Sequence, residues 1–186
     1  EAQLEEQYRD AAQEREDFKR RQKLALQKKV CELEDRELLE PRQEAGVVAL
    51  FHQVSILRPA LFPFRIIDFD TKRGYDALAA AGVVKDLSKD SLFFVEFKHK
   101  LGMDFNHSFS HLTAVVCWEC LLNDGAEVTD LENKKRQLRI TPPSAAGEHT
   151  VYMLVDPAAR HNIEVFVLKE YLEECLDLVF KPRKAQ

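Results

Sequence analysis

The sequence predicts an α/β or α+β fold in which a helix-covered sheet is preceded by one long helix. Residues 1–39 contain no Gly and no Pro and are dense in Glu, Gln, Arg and Lys, which is typical of a long solvated helix. Beyond them, short apolar runs alternate with turn residues until a closing amphipathic helix, an order typical of a sheet with helical cover. A chain of 186 residues that is 45% hydrophobic can bury a substantial core.

The N-terminal segment, residues 1–39, is expected to form a coiled coil. Its apolar seam has 4-3 spacing that skips Arg15 and slips in register after Phe18, and it consists of Leu4, Tyr8, Ala11, Phe18, Leu26, Val30 and Leu33. Such a seam favours helix pairing, which predicts a homodimer or larger assembly. A single solvated helix between two domains is the alternative. Pro41 ends the helix, so residues 42–186 are expected to form the globular domain.

The globular domain is expected to begin with a helix over "QEAGVVALFHQVSIL" (43–57), whose apolar stripe packs on the core. Apolar runs then predict strands at 64–69, 75–82, 91–98, 112–120, 138–140, 150–155 and 163–168, with a closing helix at 169–180. "NDG" (123–125) is a hairpin signal. A short helical connection is expected between the third and fourth of these strands, and residues 129–148 are expected to be mostly loop.

The bulk composition excludes several classes of protein. The formal net charge of −5 argues against a basic nucleic-acid binder, although an acidic balance fits a site that gathers carboxylates around a metal. Neither a membrane span nor a signal peptide is visible. Four cysteines in a chain of this length favour a reducing, intracellular setting, cytoplasmic or nuclear. Cys117 and Cys120 have CxxC spacing, but on a strand they point to opposite faces, which disfavours zinc. Because the chain begins with Glu, it is expected to be part of a longer protein.

The stretch "SLFFVEFKHKL" (91–101) contains two charges that a buried strand rarely carries. Residues two apart on a strand share a face, so Glu96 and Lys98 project to one side and Val95 and Phe97 to the other. Burying such charges costs several kcal/mol unless partners compensate them, and a divalent metal and a phosphate would do so. Twenty residues earlier, "GYDAL" places Asp76 in another apolar stretch.

An Asp followed about twenty residues later by Glu-x-Lys on a strand resembles the PD-(D/E)XK nuclease superfamily, with "GYD" as the first half and "VEFK" as the second. The resemblance covers residues 42–120. It implies a restriction-endonuclease-like fold, a mixed central sheet flanked by helices. It also implies that Asp76, Glu96 and the Phe97 carbonyl bind Mg²⁺ or Mn²⁺. Lys98 would be the catalytic base or electrostatic stabiliser.

The same resemblance suggests further site residues. Glu44, on the first core helix, is a candidate metal ligand, with an ordinary first-turn Glu as the equal alternative. His111, and after it His107, are candidates for binding phosphate or positioning water, and Lys100 lies near the same edge. The alternative is that the histidines are polar residues that cap a short helix. Asp68 and Asp70 compete with Asp76 as the first acid, but Asp70 precedes turn residues and fits a strand end.

The resulting hypothesis is a metal-dependent endonuclease that cuts phosphodiester bonds in DNA, with RNA the less favoured substrate. By analogy it would be the effector domain of a larger ATPase, defence or repair protein. The basic run "NKKRQLR" (133–139) is a candidate backbone contact, or else a solvated loop. The rival hypothesis is a catalytically silent nuclease-fold module that assembles through its coiled coil.

Overall fold

A computed structural model describes residues 2–72, 76–82 and 87–184, with the backbone alone described for Asp76. The helices are α1 (Ala2–Leu26), α2 (Glu44–Leu57) and α3 (Leu168–Leu176). The strands are β1 (Val30–Leu33), β2 (Arg36–Leu39), β3 (Phe64–Asp70), β4 (Asp76–Ala81), β5 (Leu92–Leu101), β6 (Leu112–Cys120), β7 (Glu127–Thr129), β8 (Lys135–Thr141), β9 (Val151–Val155) and β10 (Ile163–Val167). One 3-10 turn, Lys89–Ser91, leads into β5.

The main sheet has eight strands in the order β3-β4-β5-β6-β10-β9-β8-β7. It is mixed, because β6 runs parallel to both β5 and β10 whereas the other neighbours pair antiparallel. The predicted α/β class and mixed sheet are therefore confirmed. The parallel pairs occur in the middle of the sheet, which is also where the longest strands lie.

The sheet separates two hydrophobic cores. The first face of the sheet carries Val95 and Phe97 of β5 and packs against α2 and α3. The second face carries Val115 and Cys117 of β6 and closes around its own apolar cluster. The alternation along β5 and β6 places successive side chains in different cores. No helix of the described residues contributes to the second cluster, so the sheet must cover that cluster by curling.

The curl brings β7, the far edge of the sheet, back to the segment that follows β5. Asp104 and Thr129 form an isolated parallel bridge. The amide of Phe105 donates to the Thr129 carbonyl at 2.9 Å, and the amide of Thr129 donates to the Met103 carbonyl at 3.0 Å. These bonds satisfy backbone groups at the edge and enclose the second core.

The long N-terminal helix is confirmed, but it is shorter than predicted. It ends at Leu26, and the predicted continuation towards residue 39 is wrong because β1 and β2 form a hairpin there. Glu34 and Asp35, at the turn, have φ angles of 49° and 60°, the left-handed geometry of a two-residue hairpin. Cys31, Leu33 and Leu38 of this hairpin are buried in the first core, and this burial outweighs the helical spacing of the segment.

Three further predictions about connections are corrected. The link between β5 and β6, residues 102–111, is an irregular loop and contains no helix. The "NDG" turn joins β6 to β7, which are not neighbours in the sheet, so it closes no hairpin between them. In the segment 129–148, expected to be mostly loop, the strand predicted at 138–140 is the seven-residue β8, and β7 ends at the start of the segment. The strand predicted at 75–82 corresponds to β4, except that Tyr75 lies outside the described residues.

Candidate functional site

The candidate site begins with the two charged side chains of β5. Glu96 is paired with Val115 and Lys98 with Cys117, so both charges lie on the second face of the sheet. Glu96 is only 4% exposed and Lys98 only 9%. The sequence prediction that these residues share a face is confirmed by this register. Buried charges in such positions require compensation from their neighbours.

That compensation comes partly from within the site. Nζ of Lys98 lies 3.7 Å from Oε1 of Glu96, and Nε2 of His107 lies 3.4 Å from the same oxygen. Lys98 also lies over the ring of Phe105, with 4.8 Å between Nζ and the ring centroid, where the aromatic face attracts a cation. The carboxylate of Glu96 is thus close to two groups that can carry positive charge.

Acidic positions form a row across three neighbouring strands at this end of the sheet. Asp70 of β3 is paired with Asp76 of β4, and Asp76 is paired with Glu96 of β5. Directly paired positions on neighbouring strands have Cα atoms about 4.5 to 5.5 Å apart. The register therefore brings the two predicted acids, Asp76 and Glu96, to adjacent positions.

A cavity of about 190 Å³ opens onto Glu96. Its lining includes His107, Ser108 and His111 from the loop between β5 and β6, together with the apolar side chains of Phe94 and Leu112. The loop is therefore the element that positions both candidate histidines beside the buried carboxylate. The predicted helix is absent, yet the residues expected to face the site from it line this cavity.

The loop that carries the histidines is held by a buried carboxylate. Asp130, 5% exposed, accepts backbone N–H groups from Phe109, Glu132 and Lys134 at 2.8 to 2.9 Å. Nearby, the hydroxyl of Ser108 donates to Glu132 at 2.8 Å, and this bond is the main reason that the pKa of Glu132 is lowered. Asp130 was not predicted from the sequence, because a single Asp after a short strand gives no distinguishing signal.

The remaining candidates lie in different surroundings. Glu44 is the first residue of α2, the helix that covers the first face, whereas Glu96 lies on the second. The ring of Phe97 is fully buried in the first core, and its carbonyl lies in the backbone between Glu96 and Lys98. Lys100 is exposed, and its Nζ lies 3.9 Å from Oε2 of Glu119.

The two acids that compete with Asp76 in the sequence, Asp68 and Asp70, both lie on β3. Asp70 ends β3 and its carboxylate accepts the amide of Lys72 at 2.9 Å, which confirms the strand-end turn. Asp68 is exposed on the same strand.

Burial raises the pKa of Cys117 and of Cys120, so both thiols stay protonated at neutral pH.

The donor groups fit a hard divalent cation in part. Among the side chains that the structure describes, no group of three or more His, Cys, Asp or Glu residues is arranged to hold a metal. The side chain of Asp76 lies outside that set. Carboxylates, the groups that the sequence has at positions 76 and 96, are oxygen donors of the type that Mg²⁺ and Mn²⁺ prefer.

A larger cavity of about 950 Å³ lies elsewhere, between the β1–β2 hairpin and the C-terminal segment. Its lining mixes acids such as Glu32 and Glu37 with bases such as Lys181 and Arg183, and the Arg183 side chain is ion-paired with Glu37 at 2.6 Å. We take Glu96 as the centre of the candidate site because buried, partly compensated charges converge there. Within the described residues, no helix is long and apolar enough to cross a membrane.

Comparison of the chain with protein-family models, with curated proteins and with solved structures finds no match.

Proposed function

We propose that this protein is a metal-dependent endonuclease that hydrolyses phosphodiester bonds in DNA, with RNA the less favoured substrate. The observation that carries the proposal is the pairing of Asp76 with Glu96 across β4 and β5, with buried Lys98 3.7 Å from Glu96. This arrangement agrees with the Asp, Glu-x-Lys pattern through which the sequence resembles the PD-(D/E)XK superfamily.

The residues have separate roles in this proposal. Asp76 and Glu96 would hold Mg²⁺ or Mn²⁺, with the Phe97 carbonyl as a further ligand. The ion, when bound, would lower the pKa of a bound water and stabilise charge on the phosphate. The ammonium of Lys98 would stabilise negative charge as it develops, in a site where burial strengthens that interaction.

The two histidines would act on the substrate side of the cavity. His107 is close enough to Glu96 to orient its carboxylate, and it lines the cavity together with His111. Either imidazole could donate a hydrogen bond to a phosphate oxygen. Glu44, which belongs to the helix on the opposite face, has the weakest geometrical support of the candidate ligands.

The proposal rests on the site more than on the fold. The irregular loop between β5 and β6 replaces the helix that the resemblance implies, and the sheet curls around a second core. A metal-dependent site of this kind depends on the placement of a few groups and tolerates changes in the connections around them.

The test is cleavage of plasmid and single-stranded DNA with Mg²⁺ or Mn²⁺ and with EDTA. Glu96→Gln and Lys98→Met keep the side-chain size, and each is expected to lower the metal-dependent rate by about 100-fold or more. Lys169→Met, which removes an exposed lysine paired with Glu119, is the matched control and should retain the rate. Cleavage that survives both site substitutions, or that is unaffected by EDTA, would refute the proposal.

The second candidate is a catalytically silent module that assembles through α1. Two observations favour it: the ammonium of Lys98 lies 3.7 Å from the Glu96 carboxylate and compensates part of its charge, and none of the described residues of α1 is buried. Leu4, Tyr8 and Phe18 are each more than half exposed on that helix, as expected of a seam that awaits a partner. A homodimer without cleavage in any metal would support this function and not the first. Either function is compatible with a role as one domain of a longer ATPase, defence or repair protein.

A further inference from the structure

Arg136 of β8 is a buried cation held by neutral groups. It is only 6% exposed, and its guanidinium donates to the carbonyls of His161 at 2.8 Å and Leu154 at 3.3 Å. Its guanidinium carbon lies 5.3 Å from the ring centroid of Phe109. Within the described part of the chain, no carboxylate lies within ion-pairing distance of it. Carbonyls and an aromatic ring satisfy the N–H groups but leave the positive charge in place.

The nearby acids are already engaged elsewhere. Asp130 uses its carboxylate to bind the three backbone amides described above. Asp156 accepts the amide of Ala158 at 2.9 Å. Burial lowers the pKa of the Arg136 guanidinium, whereas the charges of Asp156 and Asp130 raise it, and the guanidinium keeps its proton at neutral pH.

Arg136 lines a third cavity, of about 430 Å³, that we call the basic cavity. The charged and titratable residues of its lining are Lys134, Lys135, Arg136, Asp156, Arg160 and His161. Four permanent cations therefore face one carboxylate. Lys134 and Lys135 pair with Glu132 and Glu127 at 3.2 and 2.9 Å, but these pairs are largely exposed, and such pairs are weak and readily exchanged for another anion.

The basic cavity adjoins the cavity that opens onto Glu96. Phe109 and Ser110 line the basic cavity, whereas Ser108 and His111 line the other, so the two lie on either side of one short loop. The hydroxyls of Ser108 and Ser110 lie 2.9 Å apart and connect the two sides. An extended anion that entered the Glu96 cavity would meet the cations of the basic cavity next.

We propose that the basic cavity binds a backbone phosphate of the nucleic acid, next to the phosphate that is positioned at Glu96. This inference rests on the proposed function, because it takes the substrate to be a polynucleotide. It adds a substrate requirement: a mononucleotide cannot occupy both cavities, whereas an oligonucleotide can. Arg136 is suited to this role because a guanidinium already fixed by carbonyls binds a phosphate with little further loss of side-chain entropy.

The test is binding of a fluorescent single-stranded oligonucleotide to the full chain in EDTA, measured by anisotropy at several salt concentrations. Arg160→Glu changes an exposed lining residue, so the fold should be preserved. It is expected to weaken binding by about tenfold or more. The slope of log affinity against log salt should fall by roughly 0.7 for each phosphate that the variant no longer neutralises. Arg42→Glu, the same charge change before α2 on the other side of the sheet, is the control and should stay within about twofold of the parent.

Arg136→Lys, checked for folding by thermal melting, should also weaken oligonucleotide binding. Inorganic pyrophosphate should compete with the oligonucleotide in the parent protein and less well in Arg160→Glu. Equal affinities and salt slopes for the parent, Arg160→Glu and Arg42→Glu would overturn this inference. If DNA is still cleaved in that case, the proposed function stands without it. If Arg160→Glu weakens binding but no metal supports cleavage, the basic cavity stands and the endonuclease proposal fails.

Discussion

The Nε2 atom of His107, on the loop between β5 and β6, lies 3.4 Å from Oε1 of Glu96 on β5. This contact joins a side chain on a strand to one on an irregular loop, and the loop is itself fixed by Asp130. The candidate site therefore depends on two supports, the register of the strands and the anchoring of the loop. Each support can be tested separately.

The buried pair Glu96–Lys98 should behave as a coupled unit in stability measurements. Lys98→Met leaves a carboxylate that is almost fully buried, and we expect it to lower the free energy of unfolding by about 3 kcal/mol. The double variant Glu96→Gln/Lys98→Met should lose less than the two single variants together, by about 0.5 to 3 kcal/mol. Urea denaturation followed by circular dichroism measures all four proteins, and strict additivity would show that the pair makes no net interaction.

Asp130 should be the main determinant of loop stability beside the site. Because its carboxylate accepts three backbone N–H groups in a buried position, Asp130→Ala is expected to cost about 3 kcal/mol. Hydrogen exchange at the amides of Phe109, Glu132 and Lys134 should accelerate more than at strand amides. Glu148→Ala is the matched control, since Glu148 also accepts backbone amides, from Ser144 and Ala145, but is fully exposed. An equally large loss of stability there would contradict the role of burial.

Glu164 of β10 should give the protein a pH-dependent stability. Burial raises the pKa of its carboxyl group, with His149 opposing the shift. The folded state thus binds this proton more tightly than the unfolded state does. The protonated carboxyl group of Glu164 therefore contributes to the free energy of unfolding. This contribution is fully present below the ordinary carboxyl pKa of 4.5 and is lost as the pH rises through the pKa of the folded state. Glu164→Gln should therefore raise the Tm at pH 7 relative to the parent and change it little at pH 4.

The control for this pH dependence is Glu173→Gln, which changes an exposed carboxyl on α3. It should shift the Tm by less than Glu164→Gln at pH 7. If Glu164→Gln instead lowers the Tm at pH 7 and not at pH 4, the charged form of Glu164 is the one that stabilises the fold, and the assigned sign is wrong.

Deletion of residues 1–27 should separate assembly from folding. No described side chain of α1 is buried, so the shortened protein is expected to keep its Tm within about 2 °C of the parent. If the exposed seam pairs with a second copy, the same deletion should convert a dimer to a monomer in sedimentation experiments. Phe18→Glu in the full chain should do the same, because it places a charge in the seam. A dimer that persists in both proteins would place the interface elsewhere.

Local sequence pattern was sufficient to predict much of the sheet. β6 was predicted with its observed bounds, Leu112–Cys120, and β5 within a few residues, because a buried strand is a continuous apolar run between turn residues. The shared face of Glu96 and Lys98 followed from period two alone. The hairpin at 30–39 was predicted to be part of the long helix. Its few apolar residues fit both helical and strand spacing over so short a segment.

Contacts distant in sequence could not be predicted in this way. The pairing of Asp76 with Glu96 depends on the register of β4 against β5, and the pattern of apolar residues permits other registers that preserve the buried face. The curl that returns β7 to the loop after β5, and the burial of Asp130 and Arg136, arise because an uncovered apolar face must be enclosed. The pattern along the chain thus determined which residues are unusual for their positions. Only the tertiary structure decided which of them are neighbours, because the strand pairing joins residues that are far apart in sequence.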